Sequence, residues 1–429
     1  MLITQLKHIF WEPSLAQLSS AKMENSEWLE VSLQRVYEEN CIAKILKKEI
    51  KDATKKGDNY MSDIKRIQFM AILKSGKQIK ISLIMKTLPP TEHHQDMVKQ
   101  MGLFGREITM FRDVTPKMEE ILLEFGDYTD PMWGKLICFQ GNEQIFFGDL
   151  AECGYVMASR RKGLDLEHCL LVMRSLAKFH ATTVIAVNKG MIPLNIFGKH
   201  VFKNDESEKM MKDYYDKVLE SLLILMEKRW EPEWLPIIEK FRTDLSPKIG
   251  DYVLNIMGYT NDQFNVINHG DCWVNNMMFK YGLDSVTPVS LKFVDLQMCF
   301  YDSPTYDLQY FLSTSLNLEV RQNHLEELLL VYHETLVKQL ELYSYPGEII
   351  TFEQLKKDFL KRDFLGLMIA AGIMPFIYRQ ENCKDFPELE DLLKSMKNEN
   401  KVEIVECDDP MYDTVLKVII KRVYENHFI

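Results

Sequence analysis

The sequence is short of several things, and each shortage narrows what the chain can be. It has no C-x-x-C pair: its eight cysteines, Cys41, Cys138, Cys153, Cys169, Cys272, Cys299, Cys383 and Cys407, are scattered, and no histidine spacing suits zinc. A structural zinc module or a disulfide scaffold is therefore not expected, and reduced thiols in a cytoplasmic protein are. Basic charge is also in deficit, with a formal net charge of -11. That balance disfavours a general nucleic-acid or anionic-membrane binder, which needs positive surface to displace counterions. The longest apolar run, 365–378, is too short to span a bilayer, and the N-terminal stretch lacks the apolar core of a secretory leader. N-x-S/T acceptors are absent, in keeping with an intracellular chain.

What is present belongs to a large globular protein. With 429 residues, 46% hydrophobic and 27% charged, the chain can bury a sizeable core and is long enough for two lobes. A helix is expected over 26–37, where Leu29, Leu33, Val36 and Tyr37 follow Ser26 at helical spacing. A turn-prone segment from Gly57 to Ser62 precedes two alternating runs. Ile67, Phe69, Ala71 and Leu73 share one face of the first, Ile79, Ile81, Leu83 and Met85 one face of the second, and Ser75-Gly76 turns between them. A second hairpin is expected over 136–147, and Gly148 to Ala151 breaks the pattern as a connection between lobes would.

Beyond that point the periodicity is helical: from Asp165 through His180, across about 205–257, over 305–343 and 353–378, and again over 411–425. His180 lies on an apolar face and reads as a hydrogen-bonded core histidine. The Met- and aromatic-rich helices between 205 and 257 read as packing, with an apolar acceptor pocket as the functional alternative.

The polar stretch Asn268-His269-Gly270-Asp271-Cys272-Trp273-Val274-Asn275-Asn276, followed by Phe293-Val294-Asp295-Leu296-Gln297, interrupts this helical region. Short strands before His269, at 277–279 and at 289–294 would form one small sheet and bring Asp271, Asn276 and Asp295 to the same end of it. In that arrangement one carboxylate could activate a hydroxyl while two oxygen ligands hold magnesium against a nucleotide's phosphates. Taken alone, His-Gly-Asp is a common turn. Lys86 and Glu107 each have a bland reading too, as a solvated strand-end lysine and a helix-surface acid bordering the stripe of Phe104, Ile108 and Phe111. Their functional reading is an ion pair in which Glu107 holds the Lys86 ammonium toward phosphates.

Together these residues resemble the catalytic loop and metal-binding acid of the aminoglycoside phosphotransferase and choline kinase-like enzymes. The fuller wording, including Ser303-Pro304-Thr305-Tyr306-Asp307-Leu308-Gln309-Tyr310-Phe311-Leu312, resembles the insect ecdysteroid kinase-like family within that group. The resemblance implies an α+β, two-lobed protein-kinase-like fold: an N-terminal lobe over 1–148 built on a small antiparallel sheet, and a mainly helical C-terminal lobe over 149–429. It implies ATP and Mg2+ as cofactors and a small-molecule hydroxyl, plausibly of an ecdysteroid or another apolar alcohol, as acceptor. Asp271 would accept the acceptor's proton and His269 would support the loop; Asn276 and Asp295 would bind the metal. Lys86 and Glu107 would position the phosphates, Gly57 to Ser62 would cover them, main-chain groups of Asp149, Leu150 and Ala151 would meet the adenine, and Asp307 would bond loop backbone.

Two departures stand out. The covering loop has the single glycine Gly57, and Gly148 stands where such families often carry an acid beside Asp149. A protein kinase is disfavoured by Gly270 in place of the Arg of His-Arg-Asp, by Leu296-Gln297 after Asp295 in place of Phe-Gly, and by the lack of Ala-Pro-Glu. The competitor from another class is a nucleotide-binding pseudokinase acting as a binding module.

Overall fold

The computed structural model describes residues 42–54, 61–192, 194–198, 200, 205–246, 248–257, 263–378, 407 and 409–429. The expected helix over 26–37 and Gly57 lie outside these residues. The chain first builds a five-stranded antiparallel sheet from β1 (Ile42–Asp52), β2 (Asp63–Leu73), β3 (Gln78–Thr87), β4 (Leu136–Gln140) and β5 (Gln144–Gly148), in the order β1-β2-β3-β5-β4. The alternation in β2 and β3 makes the sheet two-faced. One face gathers Ile67, Phe69, Ala71, Leu83, Ile137 and Phe146 into a core of its own.

The other face carries Lys86, directly across from Ile145. Against this side pack helices α1 (Glu92–Met101) and α2 (Leu103–Thr109), with Phe104, Ile108 and Ile145 in a second small core. A π-helical turn, Met110–Val114, leads from α2 into α3 (Thr115–Glu124).

β1 was not expected from the sequence. Its segment IAKILKKEIKD is mostly exposed and charged, and register shifts at Ile42/Lys44 and Ile45/Lys47 break its alternation. It sits at the sheet edge, where lysines are favoured because they discourage pairing with another chain.

The remainder is mainly helical: α4 (Leu166–Asn188), α5 (Asp205–Arg229), α6 (Leu235–Asp244), α7 (Ile249–Ile256), α8 (Thr305–Thr314), α9 (Leu318–Asn323), α10 (Leu325–Leu342), α11 (Phe352–Lys361), α12 (Asp363–Tyr378) and α13 (Pro410–Phe428). The period over 305–343 thus resolves into three helices, parted after Thr314 and at His324. Asp165 caps α4 by accepting the His168 N–H. By length and composition α4 could cross a membrane, yet 67% of its apolar window is buried inside the protein, where it packs chiefly on α10.

The strands around the polar stretch do not form one sheet, as expected, but two. β7 (Val266–Asn268) pairs with β10 (Phe300–Asp302), whereas β8 (Met277–Tyr281) lies between β9 (Pro288–Phe293) and β6 (Val156–Met157) and pairs with both. The reason is local. The chain between β7 and β8 turns back through a 3-10 turn at Val274–Asn276, which carries β8 away from β7 and lets the later strand β10 take the vacant edge. No two of the six described cysteines join in a disulfide.

Candidate active site

Lys86 comes from the helix-facing side of β3 and Glu107 from the first turns of α2, between the buried residues Phe104 and Ile108. Their heads meet at 2.6 Å, and both side chains are almost wholly buried. The ammonium also donates to Asp295 at 2.5 Å and to Gln297 Oε1 at 3.1 Å. An ammonium has three N–H donors, so all are engaged. Burial alone would depress the lysine, but Asp295 and Glu107 outweigh it and hold its pKa above the ordinary value. Glu107 shifts up to about 7, chiefly through burial, with Asp295 adding to the shift and Lys86 opposing it. Its Oε1 has no partner, so of the pair it is the glutamate that holds its charge less firmly.

The loop after β7 is held from below. Gly270 has φ +82, and a Cβ there would lie 2.1 Å from the Met298 carbonyl oxygen, so this position admits only glycine. The buried Asp307, from the first turn of α8, accepts the His269 N–H at 2.6 Å and the Gly270 N–H at 2.9 Å. His180 Nε2 donates to the same carboxylate at 3.1 Å, while its Nδ1 accepts from Tyr332 at 2.8 Å. His180 is thus a structural histidine under the loop. His269 accepts the Asp271 N–H at Nδ1 (3.3 Å) and donates from Nε2 to the Val294 carbonyl at 3.0 Å. With both ring nitrogens committed it braces the loop and has no lone pair left for an acceptor's proton.

The 3-10 turn returns Asn276 to Asp271. Its Nδ2 donates to the Asp271 carbonyl at 2.9 Å and to the carboxylate Oδ2 at 2.7 Å, which leaves the amide oxygen for a ligand. The other carboxylate oxygen, Oδ1, accepts from the Tyr310 hydroxyl. Burial raises the Asp271 pKa; the Tyr310 and Asn276 donors pull it back, and Asp295 adds to the rise. Asp295, just after β9, sits at φ 64 and ψ 56. This left-handed conformation costs a non-glycine residue roughly 1 kcal/mol, a strain that folds retain chiefly at functional positions.

Sequence reasoning did not find Gln297 or Tyr310. Gln297, buried at 3% exposure, bridges Lys86 and Asp295, with its Nε2 3.3 Å from Asp295 Oδ2. Tyr310 follows Asp307 by three residues and so shares its helical face; that spacing was the available signal. The Lys86 cluster and the Asp271 loop thus stand together, coupled electrostatically through Asp295. The 149–151 stretch is fixed by contacts of its own. The Asp149 carboxylate is held by Arg66 at 2.6 Å and Ser82 at 2.7 Å and caps its own 3-10 turn by taking the Ala151 N–H at 3.1 Å. Arg66 and Ser82 hold its pKa below the ordinary value, against burial, which pushes it up. Ala151 therefore has no main-chain donor to spare for a base. Ser62 is buried beside the start of β2.

A sheet-borne lysine held by a helical glutamate, facing an Asp-Asn loop and a strained second aspartate, is the arrangement of a kinase-like phosphotransferase. The sequence model of the ecdysteroid kinase-like family matches residues 56–345, more than half of the chain, and the protein belongs to that family. No curated protein matches it significantly. Among solved structures, the amicoumacin kinase hAmiN in complex with AMP-PNP, Ca2+ and Ami is similar over 89% of this chain and 97% of that one, at 10% identity and a TM-score of 0.38. So loose a likeness assigns no ligand and no residue role here.

Proposed function

We propose that the protein transfers the γ-phosphoryl group of ATP, with Mg2+, to a hydroxyl of an apolar small molecule, an ecdysteroid or another alcohol. The observation that carries this reading is the half-buried carboxylate of Asp271, fixed by Asn276 and standing beside the Lys86–Asp295 cluster. Asp271 takes the proton of the acceptor hydroxyl, a role worth on the order of 10² to 10⁴ in rate. Lys86, released from Asp295 or Gln297, turns its freed N–H toward the phosphates while Glu107 keeps hold of it.

The residues fit magnesium. Asn276 Oδ1 and the Asp295 carboxylate offer two oxygens, and among the described residues no group of three His, Cys, Asp or Glu forms a closed cage. That suits a cation that keeps waters and binds phosphate oxygens. When bound, it would neutralise charge developing on the transferred group. In support of an acceptor site among the helices, α5 packs on α7 and α12, and a Cβ on Gly372 of α12 would lie 2.3 Å from the Tyr214 hydroxyl of α5. Described cysteines that do not pair with one another suit action in the cytoplasm.

The test is ATP turnover with magnesium against a panel of steroid and other apolar alcohols. Asp271→Asn should abolish transfer and leave ATP affinity nearly unchanged; wild-type transfer in that variant would sink the base assignment. Magnesium-dependent ATP binding with no transfer to any alcohol would leave a nucleotide-binding module instead.

A further inference from the structure

Tyr310 occupies a position that a reacting molecule would need. Its hydroxyl donates into Asp271 Oδ1, as an acceptor alcohol would have to do, while Asn276 keeps the other oxygen. The phenol is 7% exposed, with the Tyr306 ring 6.3 Å from its own. Its helix is held from behind: a Cβ on Gly366 of α12 would come within 2.1 Å of Gln309 Oε1 and 2.7 Å of Ser313 Oγ, so glycine there lets α12 lie directly on α8. Tyr310 is thereby aimed at Asp271 by a rigid element, and burial, with Asp271 adding to it, pushes its pKa up and keeps the phenol protonated.

Any phosphotransferase must discriminate its alcohol from water, a smaller acceptor that is always present. If water reached Asp271, its oxygen would attack the γ-phosphorus, the bond to the ADP oxygen would break, and its proton would pass to the carboxylate, giving ADP and inorganic phosphate. We propose that Tyr310 is a specificity-determining guard: its hydroxyl fills the acceptor's place on Asp271 and yields only to an alcohol whose apolar body supplies binding free energy. Water brings no such burial and does not displace it. The inference rests on the reading of Asp271 as base.

The experiment is acceptor-free ATP hydrolysis by the full-length protein with magnesium, in the wild type, Tyr310→Phe, Tyr310→Leu, Asp271→Asn and the Tyr310→Phe/Asp271→Asn double variant. Loss of the hydroxyl should raise hydrolysis roughly ten-fold, the equivalent of one net hydrogen bond no longer competing with water. In the double variant the rise should vanish. Unchanged or slower hydrolysis in both tyrosine variants overturns the guard. A rise that survives Asp271→Asn overturns Asp271 as base and, with it, the guard. A second readout needs no turnover: with 13Cζ-labelled tyrosine, the Tyr310 resonance, assigned by its loss in Tyr310→Phe, should move in Asp271→Asn. A resonance that stays in place overturns the contact on which the guard depends.

Discussion

Asp307→Asn tests how the catalytic loop is held. The wild-type carboxylate accepts from His269 N at 2.6 Å, Gly270 N at 2.9 Å and His180 Nε2 at 3.1 Å, with the side chain fully buried. An asparagine in the same place offers one oxygen and one NH2 group. The oxygen can satisfy one backbone N–H; the NH2 group then faces the other, donor against donor. The cost is one charge-assisted hydrogen bond plus one buried, unsatisfied N–H, together about 3 to 5 kcal/mol. Against a domain stability of about 5 to 15 kcal/mol the variant should still fold, but with much of its margin gone. Urea unfolding followed by circular dichroism reads the loss. Because Gly270 is adjacent to Asp271, a loop shift of about 1 Å should also lower transfer by about 10²-fold. A stability loss under about 1 kcal/mol would refute the reasoning, because it would mean that the three donors find other partners.

Lys86→Met should weaken nucleotide binding and lower transfer by about 10² to 10³, as removal of a preorganised cation does, measurable as turnover at saturating ATP. Gly270→Ala should lower the melting temperature, since it adds about 1 to 2 kcal/mol of left-handed strain to an overlap with the Met298 carbonyl. Acid should loosen the loop through His180, whose pKa is depressed below 6.5, by burial and despite Asp307. The unfolded chain takes up that proton first, so the stability His180 contributes is complete above about pH 6.5 and is lost as pH falls below it. Urea midpoints between pH 7.5 and 5 should fall less steeply in His180→Gln than in the wild type.

Much of this was legible in local pattern. The alternation in 67–73 and 79–85, with Ser75-Gly76 between, specifies a hairpin whatever surrounds it, and the stripe of Phe104, Ile108 and Phe111 fixes the buried face of α2. Where partners are distant in sequence, local pattern says less. Strand β1 is spelled in lysines because it is an edge, and only its pairing with β2 makes it a strand. The pairing of β7 with β10 depends on where the chain goes after β9, which no periodicity encodes. Tyr310 looks like core in an all-buried helix, and its role shows only when α8 is set against the loop. The partners of the Asp149 side chain were equally illegible: its carboxylate is held by Arg66 and Ser82, which lie 83 and 67 residues away in the chain on β2 and β3.

The three acceptors around Lys86 come from two different directions, Glu107 from the α2 side of the sheet and Asp295 and Gln297 from the chain that follows β9. Mechanically the ammonium is a rivet through both parts of the molecule. A rigid-body movement of the sheet relative to the helical body, by as little as an ångström, would strain the bonds to Asp295 and Gln297 together. A group that draws the lysine away therefore also unfastens one side of the joint, so that occupancy of the cleft and the freedom of the two parts to swing are a single variable.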